Sequence, residues 1–282
     1  IVLGQKQTEE KLGQLSIVGL SRPQALFWRP KGSFDMVTSQ DPFETGFIAW
    51  RLAKRLKAKL ELQIHTDLGS PYFRYQSLLN RLRCLLANFL LPQADAVRVV
   101  SQRIADYLKT AGYKLKTVPV VRPIVVDVGK IKSASITVDL HKKYPQFKKI
   151  ILMASRLTRE KNISLAIEAM AQVVKIKPST GLIIAGSGLE EKKLKHQVKT
   201  LSLQTNVIFE SWIDRDTLIS YYKTTNLFLN TSLYEGYGMT LVEAHAARCT
   251  IVSTDVGVAR ELATIVDLDK ERISEMILEK IK

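Results

Sequence analysis

The stretch SLYEGYGMTLVEAHA, residues 232–246, sets Glu235 and Glu243 eight positions apart, with Gly236 and Gly238 just behind the first carboxylate. The glycines permit a tight turn and close backbone approach to a guest. The run that follows, from Met239, reads as a helix, so its first backbone N–H groups would face the same place and suit an anion. Two carboxylates beside a phosphate site are unfavourable unless they hold something else. Sugar hydroxyls are the natural candidates.

Cations should complete such a pocket, and ASRLTREKN (154–162) supplies Arg156 and Lys161 between a strand-like run and a helix-like one. Arginine offers a planar fork to phosphate oxygens and lysine a point charge. An Asp-x-Asp pattern of the kind that can hold a divalent cation occurs at 214–216. Asp216 sits where a helix begins, however, and DLD (267–269) likewise precedes a helix, so N-capping is the expected role of both. No metal is called for, because Arg156, Lys161 and a helix terminus already counter the phosphates. Of the histidines, His65 ends an apolar strand. His141 and His196 fall in polar surroundings, and His245 follows Glu243 on another face of its helix with a structural role.

The elements that must position these residues alternate. Short β-branched runs at 148–155, 180–188, 206–211, 225–232 and 249–255 are separated by helix-period segments at 162–175, 189–201, 216–224 and 239–248. Strand followed by helix, over and over, requires a parallel sheet covered on both faces. In such sheets ligands bind beyond the carboxyl ends of the strands, where Arg156, Lys161 and Glu235 all fall. The front part repeats the theme with strand-like runs at 34–40, 59–67, 95–102 and 116–126. An α/β protein of two domains is predicted, residues 1–126 and 148–282, joined by a polar, lysine-rich linker over 127–147.

Composition narrows the partners. With 282 residues, 46% of them apolar, the chain can bury two cores. The two cysteines, Cys84 and Cys249, form no metal-ligand or paired spacing, which fits a reducing, cytoplasmic setting. No apolar run approaches the roughly 18 to 20 residues of a membrane helix, and the first residues lack a signal-peptide pattern, so a soluble or peripheral protein is expected. The formal charge is +15, and residues 1–126 carry 19 Lys+Arg against 9 Asp+Glu. Much of that excess lies in RLAKRLKAKL (51–60) and RYQSLLNRLRCLLANFLL (74–91), where apolar residues recur at helical spacing between cations. Two readings fit: helices lying on an anionic membrane surface, or core-packing helices with a solvated basic face. Nucleic acid is not expected, because no stacking platform accompanies the charge.

Taken together and in order, SRLTREKN, LIIAGSGLEEKKLK, NVIFESWID and TSLYEGYGMTLVEAHAARCTIVSTDVGVAREL resemble the donor domain of glycosyltransferase family 4. The front part resembles the family more loosely, from FDMVTSQDPFETG to the histidine at 65 and again over QADAVRVVSQRIADYLKTAGY. The resemblance implies the GT-B fold, two Rossmann-like domains facing across a cleft, and a retaining transfer of sugar from a nucleotide-diphosphate donor to a glycan or lipid-linked acceptor. It implies roles as well. Glu243 would hold the donor ribose, Glu235 the hydroxyls of the transferred sugar, and the amides of Gly236, Tyr237, Gly238, Met239, Thr240 and Leu241 the sugar and diphosphate. Arg156 and Lys161 would meet the leaving diphosphate, His65 the reacting sugar or its proton, and backbone around Gly186, Trp212 and Ile213 the base. No resident cofactor is implied, only a UDP-, GDP- or ADP-sugar as substrate, in surface polysaccharide or glycolipid synthesis.

The chain departs from the family at Ser211, Arg248 and Thr250, where Gly, Gly and Pro are usual. The family's opening strand with its glycine-rich acceptor loop is not recognisable in residues 1–30. After Leu262 the usual loop and returning terminal helix are not evident either, so the first domain reads as incomplete and the chain as shortened. Two other functions remain open on these residues. One is a GT-B nucleotide-sugar epimerase, the other a non-catalytic sugar-nucleotide-binding protein.

Overall fold

A computed structural model describes residues 2–3, 8–12 and 15–282 and resolves into two compact units. The first comprises Ile1–His65, Ser77–Val99 and Ala105–Arg122, and the second Thr66–Gln76, Val100–Ile104 and Pro123–Lys282. The opening residues, read as lacking an acceptor loop, fall partly on 1, 4–7 and 13–14, outside the described residues.

In the first unit, strands β1 (Val2–Leu3), β2 (Thr8–Leu12) and β3 (Leu15–Leu20) form a small sheet in the order β1-β3-β2, with β2 antiparallel to β3. Helix α1 (Arg22–Phe27) follows, capped by Ser21. The main sheet is parallel, with β4 (Met36–Ser39), β5 (Lys59–Ile64), β6 (Ala96–Val99) and β7 (Val120–Val121) in sequence order. Helix α2 (Glu44–Leu56) buries Gly46, Ala49, Leu52 and Ala53, the spacing of one helical face. Helix α3 (Pro71–Tyr75) belongs to the second unit, whereas α4 (Leu78–Leu90) packs on α2 in the first. There Trp50 and Phe89 meet edge to face with centroids 5.2 Å apart. Helix α5 (Gln102–Thr110), of which the residues from Ala105 on belong to the first unit, comes before β7.

Residues 127–147 differ from the linker reading. They carry α6 (Val128–Ser133) and α7 (Leu140–Lys143) and belong to the second unit. Their polar residues serve as caps: Asp127 accepts from the Lys130 amide and Asp139 from the His141 amide. Ile131, Leu140 and Phe147, scattered among lysines, supply the buried contacts. With so few apolar residues in turns this short, no period shows in one dimension.

The second unit's sheet contains β8 (Lys149–Ala154), β9 (Thr180–Ala185), β10 (Val207–Glu210), β11 (Leu227–Asn230), β12 (Ile251–Ser253) and β13 (Thr264–Ile265). All pairs are parallel, in the order β10-β9-β8-β11-β12-β13. Helices α8 (Ile163–Ile176), α9 (Glu191–Thr200) and α13 (Lys270–Lys280) cover one face with Ile167, Met170, Val173, Ile273 and Ile277. Helices α10 (Arg215–Thr224), α11 (Met239–Ala246) and α12 (Ala259–Leu262) cover the other with Tyr222, Leu241, Ala244 and Ala259. Burial on both faces is why these strands read as unbroken apolar runs. Arg248, where glycine is usual, has φ 62°, the left-handed region that ends many helices and that glycine enters without penalty.

Candidate active site

Strand β8 delivers the chain into the 155–162 loop and β11 into the 231–238 loop, and the two are knitted together. The Leu233 amide donates to the Glu160 carbonyl at 2.8 Å, and the Thr231 hydroxyl lies within hydrogen-bonding distance of the carbonyls of Lys161 and Asn162 at 3.1 and 3.0 Å. Lys161 Nζ then donates to Glu235 Oε1 at 2.6 Å, and the Ser232 hydroxyl donates to the same oxygen at 2.9 Å. Both charged side chains are mostly buried. The structure thus brings Lys161 and Glu235 together just ahead of α11.

Gly238 is the N-cap of α11, at φ 92°. A Cβ there would also crowd the Leu241 side chain, so the turn needs glycine. Gly236 is buried, and its carbonyl accepts from the buried Ser101 hydroxyl at 2.8 Å. Among the described residues the amides of Gly236, Tyr237, Gly238, Met239 and Thr240 have no hydrogen-bond acceptor. Leu241 departs from its expected role. Its amide donates to the Gly238 carbonyl and its side chain is fully buried, because it is the first α11 residue to reach the core. Gly186, at φ 141°, likewise has its N–H engaged, by the Glu210 carbonyl at 3.1 Å, so it shapes the turn after β9 rather than offering a free donor. Trp212 stands exposed beyond β10, and Ile213 packs partly on the α10 side of the core.

Arg156 lies on the surface of the same loop as Lys161, with its guanidinium 3.3 Å from Glu160. Glu243, one turn into α11, is buried. Its carboxylate accepts from the Tyr222 hydroxyl at 3.3 Å and lies 3.6 Å from Arg215. Burial raises its pKa, and Arg215 and Tyr222 oppose that without cancelling it. Arg215 and Tyr222 escaped the sequence reading because both sit on α10, separated from Glu243 by a whole strand. Only the α10 to α11 packing makes them neighbours.

A second missed cluster closes the end of β10. Glu210 accepts from Lys143 at 2.7 Å, from Tyr221 at 2.6 Å and from Tyr144. The Asp-x-Asp pattern also resolves differently from its reading. Asp214, not Asp216, caps α10, accepting from both the amide and the hydroxyl of Thr217, while Asp216 sits in the first turn. The cap position falls two residues earlier because α10 begins at Arg215. Asp269 caps α13. Among the described residues no cluster of His, Cys, Asp or Glu is arranged to hold a metal ion. His245 is exposed rather than packed, and Cys249, its thiol pushed up to about 12 by burial, is no nucleophile at neutral pH.

His65 lies in the first unit at the end of β5, 3.4 Å from Gln63. Burial first, and then the Arg98 charge, lower its pKa against the pull of Asp41, which favours the neutral ring. Beside the second unit's loops runs an open groove of about 560 Å³, lined in part by Tyr72, Tyr75, Arg159, Lys193 and Leu233.

Comparison with known proteins bears on this arrangement. Residues 139–265 match the family described as glycosyl transferases group 1, and residues 10–123 match the glycosyl transferase 4-like domain. Both matches are to glycosyltransferase families, and together they take in most of the chain. Among its relatives, the alpha-monoglucosyldiacylglycerol synthase of Streptococcus pneumoniae is 27% identical over 229 residues, 78% of this chain and 51% of the relative. The lipopolysaccharide core biosynthesis mannosyltransferase LpsB of Rhizobium meliloti is 27% identical over 187 residues, 63% of this chain and 50% of the relative. The chain therefore spans about half the length of these curated relatives. The fold agrees with solved structures. Sucrose-phosphate synthase from Thermosynechococcus elongatus superposes with a TM-score of 0.76 at 22% identity, over 87% of this chain and 64% of that one. The Anabaena protein HepE, in complex with UDP and glucose, superposes with a TM-score of 0.72 at 21% identity, over 88% and 69%. The α/β fold of GT-B type expected from the sequence is thus the one observed.

Proposed function

We propose that this protein is a retaining glycosyltransferase that moves a sugar from a nucleotide-diphosphate donor to a glycan or lipid-linked acceptor in surface polysaccharide or glycolipid synthesis. The observation that carries the reading is the Lys161–Glu235 contact, which joins two loops beside a helix start whose first amides are unpaired. A diphosphate accepts from those amides and meets Lys161 and Arg156, while the acids grip neutral hydroxyls. Charge on the leaving diphosphate grows in the transition state, so cations placed there in advance lower the barrier rather than only tightening binding. Glu235, anchored by Lys161 and Ser232, orients the transferred sugar, and Glu243 the ribose.

Glu235 is tied to Lys161 and Ser232, and we assign no side-chain nucleophile to the transfer. The route we favour keeps the acceptor on the same face as the leaving phosphate, which takes the acceptor proton. Trapping a glycosyl-enzyme adduct would argue against it. His65, held neutral, is the proposed contact for the reacting sugar or its proton. Metal independence is part of the proposal: the Asp214 carboxylate is already engaged in capping α10, and the diphosphate charge is met by cations and amides. Activity unchanged by EDTA is the outcome that supports this.

Two of the relatives named above are an alpha-monoglucosyldiacylglycerol synthase and a mannosyltransferase of lipopolysaccharide core biosynthesis, and the HepE complex holds UDP and glucose, which favours a UDP-sugar and an acceptor at a membrane. No helix among the described residues is long and apolar enough to cross a bilayer. We place the protein on the cytoplasmic surface of an anionic membrane. Thermal melts with UDP-, GDP- and ADP-sugars identify the donor, because a ligand that prefers the folded state raises the melting temperature. Release of nucleotide diphosphate on adding acceptor completes the test. Donor converted to an isomeric sugar nucleotide without acceptor would indicate the epimerase instead, and donor bound with no turnover a binding protein.

A further inference from the structure

Helices α2 and α4 share a basic, apolar sequence pattern, yet the structure treats them differently. In α2 the apolar positions Ala49, Leu52 and Ala53 are buried, and Arg51, Lys54 and Lys57 are left outside. That is a core-packing helix with a solvated face. In α4 the buried face is Asn80, Cys84, Ala87 and Leu90, and a second apolar face points to solvent. Leu78 is 75% exposed, Leu82 62%, Leu85 64%, Leu79 50% and Phe89 47%. At 100° per residue Leu78, Leu82, Leu85 and Phe89 lie within about 60° of one another opposite the core, with Leu79 at the margin of the buried face. A surface of contiguous leucines on a helix already packed on its other side marks a place that meets something apolar.

What borders the stripe identifies the partner. Arg81 is exposed along one edge of α4. Phe89, at the other end, meets Trp50, and Lys54 Nζ stands 4.3 Å from the Trp50 ring centroid. The Trp50 indole N–H is itself buried, so it is the exposed leucines with cations at their margin that form the combination that settles at a lipid headgroup layer. Residues 1–126 also carry twice as many cations as acids. A second copy of this chain would set like charges against one another. An anionic bilayer offers both an apolar layer and phosphates of opposite sign.

We infer that the leucine stripe of α4 inserts into the interfacial layer of an anionic phospholipid membrane, with Arg81 and Lys54 on the headgroups at its margin. This deepens the membrane part of the function proposed above and is tested without donor or acceptor, so it stands or falls separately from glycosyl transfer.

The experiment is co-sedimentation of the chain with vesicles of phosphatidylcholine alone or mixed with phosphatidylglycerol. The wild type partitions to the mixed vesicles. Leu82→Glu with Leu85→Glu lowers the partition coefficient about tenfold or more, since burying each leucine contributes above the threshold for a tenfold change. Both sites are exposed, so the melting temperature should hold, which shows that the variant folds. Lys54→Glu reduces only the preference for phosphatidylglycerol, about fivefold or more, and added salt does the same. Three results overturn the inference: no partition by the wild type, equal partition by the double variant, or a dimer in solution that the double variant dissolves.

Discussion

Glu235 does not stand alone in its loop: the Lys161 ammonium donates to its Oε1 at 2.6 Å, and both groups are mostly removed from water. In the mechanism proposed above, the Lys161 cation is thus held on the carboxylate that grips the sugar until a diphosphate draws on the same charge. Such a pair is strong in low dielectric and depends on both partners.

Replacing Lys161 by alanine should therefore act twice, leaving Glu235 buried and the leaving group without its nearest cation. We expect kcat to fall by about 10² to 10³, the range for losing one charge-stabilising group. Arg156→Ala should lower kcat by a similar factor, although its guanidinium lies at the surface and touches only Glu160. Steady-state assays with the donor found by thermal screening measure both. An unchanged kcat in Arg156→Ala would remove that residue from the mechanism.

Glu243 should reveal itself by pH. Its folded pKa is raised by burial, so the stability it contributes is fully present below the unfolded value of 4.5 and is lost as pH rises through the raised value. Glu243→Gln should flatten the dependence of melting temperature on pH across that window. The same change should weaken donor binding about tenfold or more, because a hydrogen bond to a charged group is lost. Calorimetric titration with donor reads the second effect.

The Glu210 cluster runs the other way. Burial would raise this carboxyl, but hydrogen bonds from Lys143, Tyr144 and Tyr221 outweigh it and hold the pKa below the usual range. Its contribution is present above the unfolded value of 4.5 and is lost as pH falls through the lower folded value. Glu210→Ala strands the Tyr144 and Tyr221 hydroxyls and should destabilise by about 2 to 4 kcal/mol at neutral pH. Urea unfolding at neutral and acid pH should show the difference from wild type shrinking toward the acid end.

Gly186 is held at φ 141°, and a Cβ there would stand 1.9 Å from the Ser155 carbonyl oxygen. Backbone strain and that clash together should make Gly186→Ala lose at least about 1 to 3 kcal/mol. Denaturant midpoints measure it. A neutral result would mean that the turn after β9 is free to shift.

How much was legible beforehand depended on whether the signal was local. The five strands and four helices from 148 to 255 could be read because burial on both sheet faces writes itself as apolar runs, and helices as a three-to-four period. Residues 127–147 could not, since two single-turn helices with one buried anchor each leave no period. The Asp216 reading missed its mark by two positions because a cap depends on where the first helical turn closes, and residue type does not state that.

The sequence by itself determined the alternating α/β order, the family resemblance, and which loops bear the acids and cations, because each follows from residue types at short spacing. Only the tertiary structure decided which of them touch. It set Lys161 on Glu235, brought Arg215 and Tyr222 from a separate helix to Glu243, took the amides of Gly186 and Leu241 out of the donor set, and left one face of α4 bare. Those outcomes depend on how helices pack over a shared sheet, an energy summed over contacts far apart in the chain.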